Sequence, residues 1–208
     1  MARPTVAIIA GGHGKRLGGT APKALARLGD LTLLEHAVGC AGSVSDEVLI
    51  VAPAPLALAH PGARSVEDAL PDTGPLSAVV AGLEAASTDI VVVLGVDLPL
   101  VPPDLLRAMA AELAAAGDAI DAAVPRPAGR PQPLVAAYRQ RSSVALRRAL
   151  DGGERSLVRA VQSLAVSWID DARIAELPGG RDALLNVNAP EDLERARAWL
   201  GGPGRARS

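Results

Sequence analysis

The 208 residues carry a net charge of −2, from 21 Lys and Arg against 23 Asp and Glu. That balance excludes a broad electrostatic grip on DNA or RNA, and no nucleic-acid partner is expected. The single cysteine, Cys40, excludes an intrachain disulfide framework and a cysteine-cluster metal site, and no apolar run reaches membrane-spanning length.

The chain has the length of one α/β domain, expected over residues 1–200, with the Gly/Arg/Ser-rich residues 201–208 as a tail. Residues 5–10 (TVAIIA) are apolar on both faces and β-branched, which predicts a buried strand. That run is too short for a signal peptide, and the expected compartment is the cytoplasm. Leu34, Ala37, Val38 and Ala41 recur at helical spacing and predict a helix over 31–41. Residues 47–52 (EVLIVA) predict a second buried strand and 63–66 a short third. Pro75, at an allowed first-turn position, opens a predicted helix over 75–86. Residues 89–96 (DIVVVLGV) form the clearest buried strand, followed by a helix over 103–116 with Pro and Asp at its start. Strands are predicted over 120–125 and 134–138, helices over 142–150 and 156–164, a strand over 166–169 and a last helix over 189–200.

Strands alternating with helices imply a mostly parallel sheet covered on both faces. With no Phe, one Tyr and two Trp, the core must be built from Ala, Val, Leu and Ile, which favours close helix–sheet contact. Open parallel sheets bind ligands beyond the carboxyl ends of their strands, so the residues after each strand carry the functional argument.

After the first strand comes G-G-H-G-K-R-L-G-G, residues 11–19, with Lys23 shortly beyond. Glycines such as Gly11 and Gly12 let the backbone approach a ligand and present its N–H donors, and Arg16 and Lys23 can neutralise a phosphate. The spacing matches neither the dinucleotide G-x-G-x-x-G nor the P-loop pattern. After the 89–96 strand comes Asp97-Leu98-Pro99, a strand-end carboxylate suited to Mg²⁺ beside a nucleotide. Asp68 and Asp72 precede Gly74-Pro75, where a helix N-terminus offers N–H groups to an anion; Asp72 is read as a turn acid. Asn186 and Asn188 lie two apart, on one side of an extended segment, with Asn188 placed to cap the last helix and Asn186 left for another role. Arg155 is a candidate for an anionic substrate, whereas Arg147 and Arg148 read as a solvated helix face. His36 reads as a satisfied structural histidine and Cys40 as a small buried hydrophobe. Three scattered histidines do not make a metal site.

These blocks, in this order, resemble the MobA family, the molybdenum cofactor guanylyltransferases, within the Rossmann-like nucleotidyltransferases. The resemblance runs from about Val6 to Leu200. It rests on Ile9-Ala10-Gly11-Gly12, Arg16-Leu17-Gly18-Gly19 and Lys23, then Glu67-Asp68, Gly74-Pro75-Leu76 and Asp97-Leu98-Pro99. It continues through Arg130-Pro131-Gln132-Pro133-Leu134 and Asn186-Val187-Asn188. It implies a three-layer α/β/α fold with a mostly parallel mixed sheet, and Mg²⁺-dependent transfer of GMP from GTP to the molybdopterin phosphate with release of pyrophosphate. It implies Ile9, Ala10, Gly11, Gly12, Lys23, Asp68, Gly74 and Asp97 at the nucleotide, with Arg16, Lys23 and Asp97 catalytic and Asp97 on the metal. Arg130, Asn186 and Asn188 would meet the pterin substrate. Molybdoenzymes or other cofactor-biosynthesis proteins are the partners such a role implies.

Three positions depart from the family pattern. The loop reads Gly18-Gly19-Thr20-Ala21-Pro22-Lys23, closer to the cytidylyltransferases of isoprenoid synthesis. Val51, with Ala52 and Pro53, stands where an Asn often contacts the nucleotide. Gly95-Val96 precedes Asp97 in place of a more polar approach, read as a matter of packing. A cytidylyltransferase acting on molybdopterin or on a sugar or polyol phosphate, and a non-catalytic cofactor-delivery protein, are the alternatives.

Overall fold

The computed structural model describes residues 3–12, 22–54, 58–68, 70 and 73–200. Strand β1 (Thr5–Ile9) is followed by a small hairpin, β2 (Arg27–Leu28) and β3 (Leu31–Thr32), and by helix α1 (Leu33–Gly42). Strands β4 (Val48–Ala52) and β5 (Arg64–Glu67), helix α2 (Pro75–Ala85), strand β6 (Ile90–Gly95) and helix α3 (Pro103–Ala115) come next. Strands β7 (Ala122–Pro125) and β8 (Val135–Arg139) precede α4 (Ser142–Asp151), α5 (Leu157–Val161), β9 (Val166–Ile169), α6 (Asp171–Glu176) and α7 (Pro190–Leu200).

Seven strands form one sheet in the order β5-β4-β1-β6-β8-β7-β9. β1 runs parallel to β4 and β6, and β4 to β5. β8 runs antiparallel to β6 and β7, while β7 and β9 are parallel. The sheet is therefore mixed and mostly parallel, as expected. Chain order reverses at β1, which opens a crevice at the carboxyl ends of the central strands.

Alternation along β1 divides the core. Val6 and Ile8 pack with Leu34 of α1 and Leu105, Leu106 and Met109 of α3. Ala7 and Ile9 pack on the opposite face with Leu76, Val79 and Val80 of α2 and Leu146 and Leu150 of α4. Helices thus cover both faces, giving three layers. Among the described residues no helix is long and apolar enough to cross a membrane.

Three helices differ most from their sequence expectation. Helix α1 begins at Leu33 rather than 31, because Thr32 and Glu35 form a reciprocal capping box and residues 31–32 pair with β2. Helix α5 covers only 157–161 of the expected 156–164. Ser156 caps it from outside, and Gln162, Ser163 and Leu164 donate to carbonyls three residues back, tightening its end. Helix α6 was not foreseen, since six residues hold too little periodicity to read; Asp170 caps it through the Arg173 N–H.

Glu47 staples the amino edge of the sheet. Its Oε2 accepts from Thr5 Oγ1 at 2.6 Å and from the Ser87 N–H at 2.9 Å and hydroxyl at 2.7 Å, and its Oε1 from Arg64 at 3.1 Å. Burial pushes this carboxyl up, but the donors outweigh burial and hold it at about 2. The starts of β1 and β5 and the segment entering β6 are tied together in this way.

Candidate active site

β1 ends at Ile9 and β6 at Gly95, side by side in the sheet. A cavity of about 440 Å³ opens at their carboxyl ends. Its wall includes Ile9, Gly11, Gly12, Lys23, Pro53, Asp68, Gly74, Pro75, Val96, Asp97, Leu134 and Asn188. Residues that lie far apart in sequence, from Ile9 to Asn188, meet there.

Lys23 is the centre of this wall. Its Nζ donates to Asp97 Oδ2 at 3.0 Å and to Asn188 Oδ1 at 2.7 Å. The Lys23 side chain is only 9% exposed and that of Asp97 22%, so the ion pair is partly withdrawn from solvent screening. The Lys23 N–H donates to the Gly12 carbonyl, which ties the cation to the strand-end glycines.

The approach to Asp97 has a steric reason. A Cβ on Gly95 would lie 2.6 Å from Asp97 Oδ1 and 3.3 Å from Leu134 Cβ. Glycine is required there because the carboxylate folds back over the strand end. The Asp97 carbonyl accepts the Val187 N–H at 2.8 Å, so the segment before α7 is fastened to the same residue.

That segment corrects the expectation for the two asparagines. Asn188 does not cap α7 with its side chain. Asp192 Oδ2 does that work by accepting the N–H groups of Asn188 at 2.9 Å and Ala189 at 3.0 Å. The Asn188 N–H leads, with the Ala189 N–H, Arg195 and Lys23, in holding the Asp192 carboxyl below its ordinary value against the effect of burial. The Asn188 amide is thereby released to meet Lys23. Asn186 is half-buried and does not line the cavity, with fully buried Val187 between the two.

Asp68 is buried on the cavity wall, where its Oδ1 accepts the Leu70 N–H at 3.1 Å in an Asx turn. Gly74 heads α2 at φ +92°, a conformation L side chains rarely adopt, and Pro75 opens the helix as expected. Ile9 and Gly11 lie on the wall, but the Ile9 carbonyl is engaged by the Val96 N–H. Ala10 is fully buried, with its N–H on the Val51 carbonyl, and is not among the wall residues. Val51 is fully buried in β4, and Pro53 presents the apolar wall at that strand end.

Arg130 stands apart from this group. It lines a second cavity of about 530 Å³ with Gln132, Arg181, Arg195 and Trp199. Arg155 donates instead to the carbonyls of Leu150 and Glu154, and Arg147 is paired with Glu84. His36 lies 2.9 Å from the Leu28 carbonyl, a structural contact as expected. Cys40 packs half-buried against the core, and burial pushes its thiol up to about 12. Arg16, Gly18, Gly19, Asp72 and the 201–208 tail lie outside the described residues. Sequence reasoning missed Pro53, just after β4, and Leu134, just before β8, as cavity wall, since an apolar residue at a strand end carries no chemical signal. It places Asp192 with Glu191 as an acid at the start of the last helix, without its bonds to the Asn188 and Ala189 N–H groups.

Comparison with known proteins agrees with this geometry. The family model described as "MobA-like NTP transferase domain" matches residues 6–166. A probable molybdenum cofactor guanylyltransferase of Chloroflexus aggregans is 39% identical over 202 residues, covering 93% of each chain. A molybdenum cofactor guanylyltransferase of Pseudomonas putida is 36% identical over 197 residues, covering 93% of this chain and 98% of its own. Among solved structures, molybdopterin-guanine dinucleotide biosynthesis protein A of Archaeoglobus fulgidus superposes with a TM-score of 0.80 at 25% identity, over 94% of this chain and 97% of its own. The 2-C-methyl-D-erythritol 4-phosphate cytidylyltransferase of Thermus thermophilus superposes with a TM-score of 0.69 at 25% identity, over 96% of this chain and 98% of its own. With its strand-end cavity, its Lys23–Asp97 pair and these relatives, the chain belongs to the MobA-like NTP transferase family.

Proposed function

We propose that this nucleotidyltransferase transfers GMP from GTP to the terminal phosphate of the molybdopterin cofactor. The observation that carries the reading is the Lys23–Asp97–Asn188 cluster on the wall of the carboxyl-edge cavity, in a chain 39% identical to a guanylyltransferase relative. In such a transfer an acceptor phosphate oxygen forms a bond to the α-phosphorus of GTP. The bond from that phosphorus to the β-phosphate bridging oxygen breaks, and pyrophosphate leaves with the electron pair. The acceptor oxygen is already anionic, so no side chain need remove a proton. The protein's part is to orient the groups and balance charge. Lys23 and Arg16 are the cations assigned to the triphosphate and the leaving pyrophosphate. Gly11, Gly12 and Gly74 leave room for the nucleotide at the strand end and the α2 N-terminus. Asp68 and Asn188 lie on the cavity wall, and Arg130, Asn186 and Asn188 are assigned as acceptor contacts.

The donor set suits Mg²⁺. Among the described residues no three His, Cys, Asp or Glu side chains gather into a metal cage. The Asp97 carboxylate at the end of β6 matches a hard cation that takes most of its ligands from water and substrate phosphates. When bound there, Mg²⁺ supplies charge neutralisation and Lewis-acid polarisation at the phosphates.

One observation favours a second reading, cytidylyl transfer. Val51 is buried and Pro53 is apolar wall, so neither side chain reads a base edge by hydrogen bonding, and a cytidylyltransferase shares the fold. Titration with GTP, CTP, ATP and UTP in Mg²⁺ by calorimetry separates the two. A GTP preference supports guanylyl transfer with backbone groups as base readers, and a CTP preference overturns it. Release of pyrophosphate on adding molybdopterin then tests the acceptor.

A further inference from the structure

Lys23 and Asp97 satisfy one another before any ligand arrives. The ammonium stands 3.0 Å from Asp97 Oδ2 and 2.7 Å from Asn188 Oδ1. The other carboxylate oxygen, Oδ1, is packed over Gly95, where a Cβ would come within 2.6 Å. Oδ2 is therefore the oxygen turned toward a cation, and the cation already there is Lys23. The seat is firm. The Asn188 N–H is held by Asp192 at 2.9 Å, and the Val187 N–H by the Asp97 carbonyl at 2.8 Å.

We propose that Lys23 is the resident counter-ion of Asp97, keeping a free divalent cation off the carboxylate until nucleotide phosphates draw the ammonium away. The divalent cation then enters together with the nucleotide rather than ahead of it. This rests on the nucleotidyl-transfer reading above. A dication on Oδ2 would stand beside the ammonium, and like charges at a partly withdrawn pair are less screened than at the open surface. An incoming polyphosphate offers the ammonium several anionic oxygens in exchange for one. Asn188 suits the exchange because its amide oxygen is neutral. It steadies Lys23 at the cavity wall without retaining it as a second carboxylate would, which makes Asn188 a positioning residue.

The test uses Mn²⁺ as probe, with no nucleotide present, and reads bound against free metal by electron paramagnetic resonance. The wild-type protein should bind Mn²⁺ weakly. Lys23→Met should bind it at least about tenfold more tightly, since one unit of opposing charge is gone. Adding Asp97→Asn to that variant should remove the gain, and Lys23→Arg, which keeps the charge, should bind as weakly as wild type. Equal affinity in wild type and Lys23→Met overturns the proposal, as does a gain that survives Asp97→Asn. Should Lys23→Met fail to fold, Lys23→Gln carries the same expectation. The outcome is independent of the guanylyl reading, which fails separately if wild-type protein releases no pyrophosphate from GTP with acceptor.

Discussion

Asp97 holds three contacts at once: its Oδ2 on Lys23, its Oδ1 against Gly95 and its carbonyl on the Val187 N–H. Asp97→Ala removes the carboxylate but not the backbone bond. Turnover in Mg²⁺ should be lost while the thermal melt stays cooperative, and near wild-type turnover would take Asp97 out of the chemistry. Gly95→Ala tests the same carboxylate from beneath. The new methyl must push Oδ1 aside, so pyrophosphate release should fall by an order of magnitude or more, with far-ultraviolet circular dichroism unchanged. Lys23→Ala should weaken nucleotide binding by roughly 1.5–3 kcal/mol, the worth of a charge-assisted hydrogen bond. Unchanged GTP affinity in calorimetry would contradict that.

At the scale of elements, the two edges of the sheet have different tasks. The amino edge is tied by Glu47 to Thr5, Ser87 and Arg64, which join the starts of β1 and β5 to the segment entering β6. The folded Glu47 carboxyl sits at about 2, below its ordinary 4.5. A depressed carboxylate contributes stability that is fully present above about pH 4.5 and is lost as pH falls toward 2. Glu47→Gln should therefore flatten the acid limb of a stability-versus-pH curve over that window. At neutral pH it should cost roughly 1–3 kcal/mol, because buried Thr5 and the more exposed Ser87 and Arg64 lose their charged acceptor. An unaltered acid limb would show that other carboxylates dominate. The capping box of α1 is a second element-scale feature: Thr32→Ala should cost on the order of 1 kcal/mol by denaturant titration.

For the whole molecule, the cavity draws its wall from β1, the Lys23 segment, the α2 N-terminus, the residues just after β6 and the segment before α7. A nucleotide that binds there stabilises all of these against unfolding together. At one hundred times its dissociation constant the gain is about 2.7 kcal/mol, read as a rise in melting temperature with the preferred nucleotide and not with the others.

Much of this architecture was legible in the chain itself. The buried strands at 5–10, 47–52 and 89–96 are runs of β-branched and aliphatic residues that have no other stable place, so the α/β class and the strand ends followed from periodicity and punctuation alone. Asp97 stood out because it directly follows the 89–96 strand, Asp68 and Gly74 because they lie between the 63–66 strand and the 75–86 helix, and Lys23 because it lies just beyond the Gly-rich stretch after the first strand. Spacing alone read Asn188 as a helix cap, and the family resemblance put it at the acceptor; neither pointed to Lys23. Only in the folded chain does Asp192 take the capping N–H groups and free the Asn188 amide to face Lys23, 165 residues away. Nor could the sequence separate Arg130 from the cavity, since that depends on where the β7–β8 connection lies relative to α7. Strand-end chemistry is local, fixed by residue type and hydrophobic run. Which side chain meets which across the crevice depends on strand order and register, and these arise only when distant segments pack.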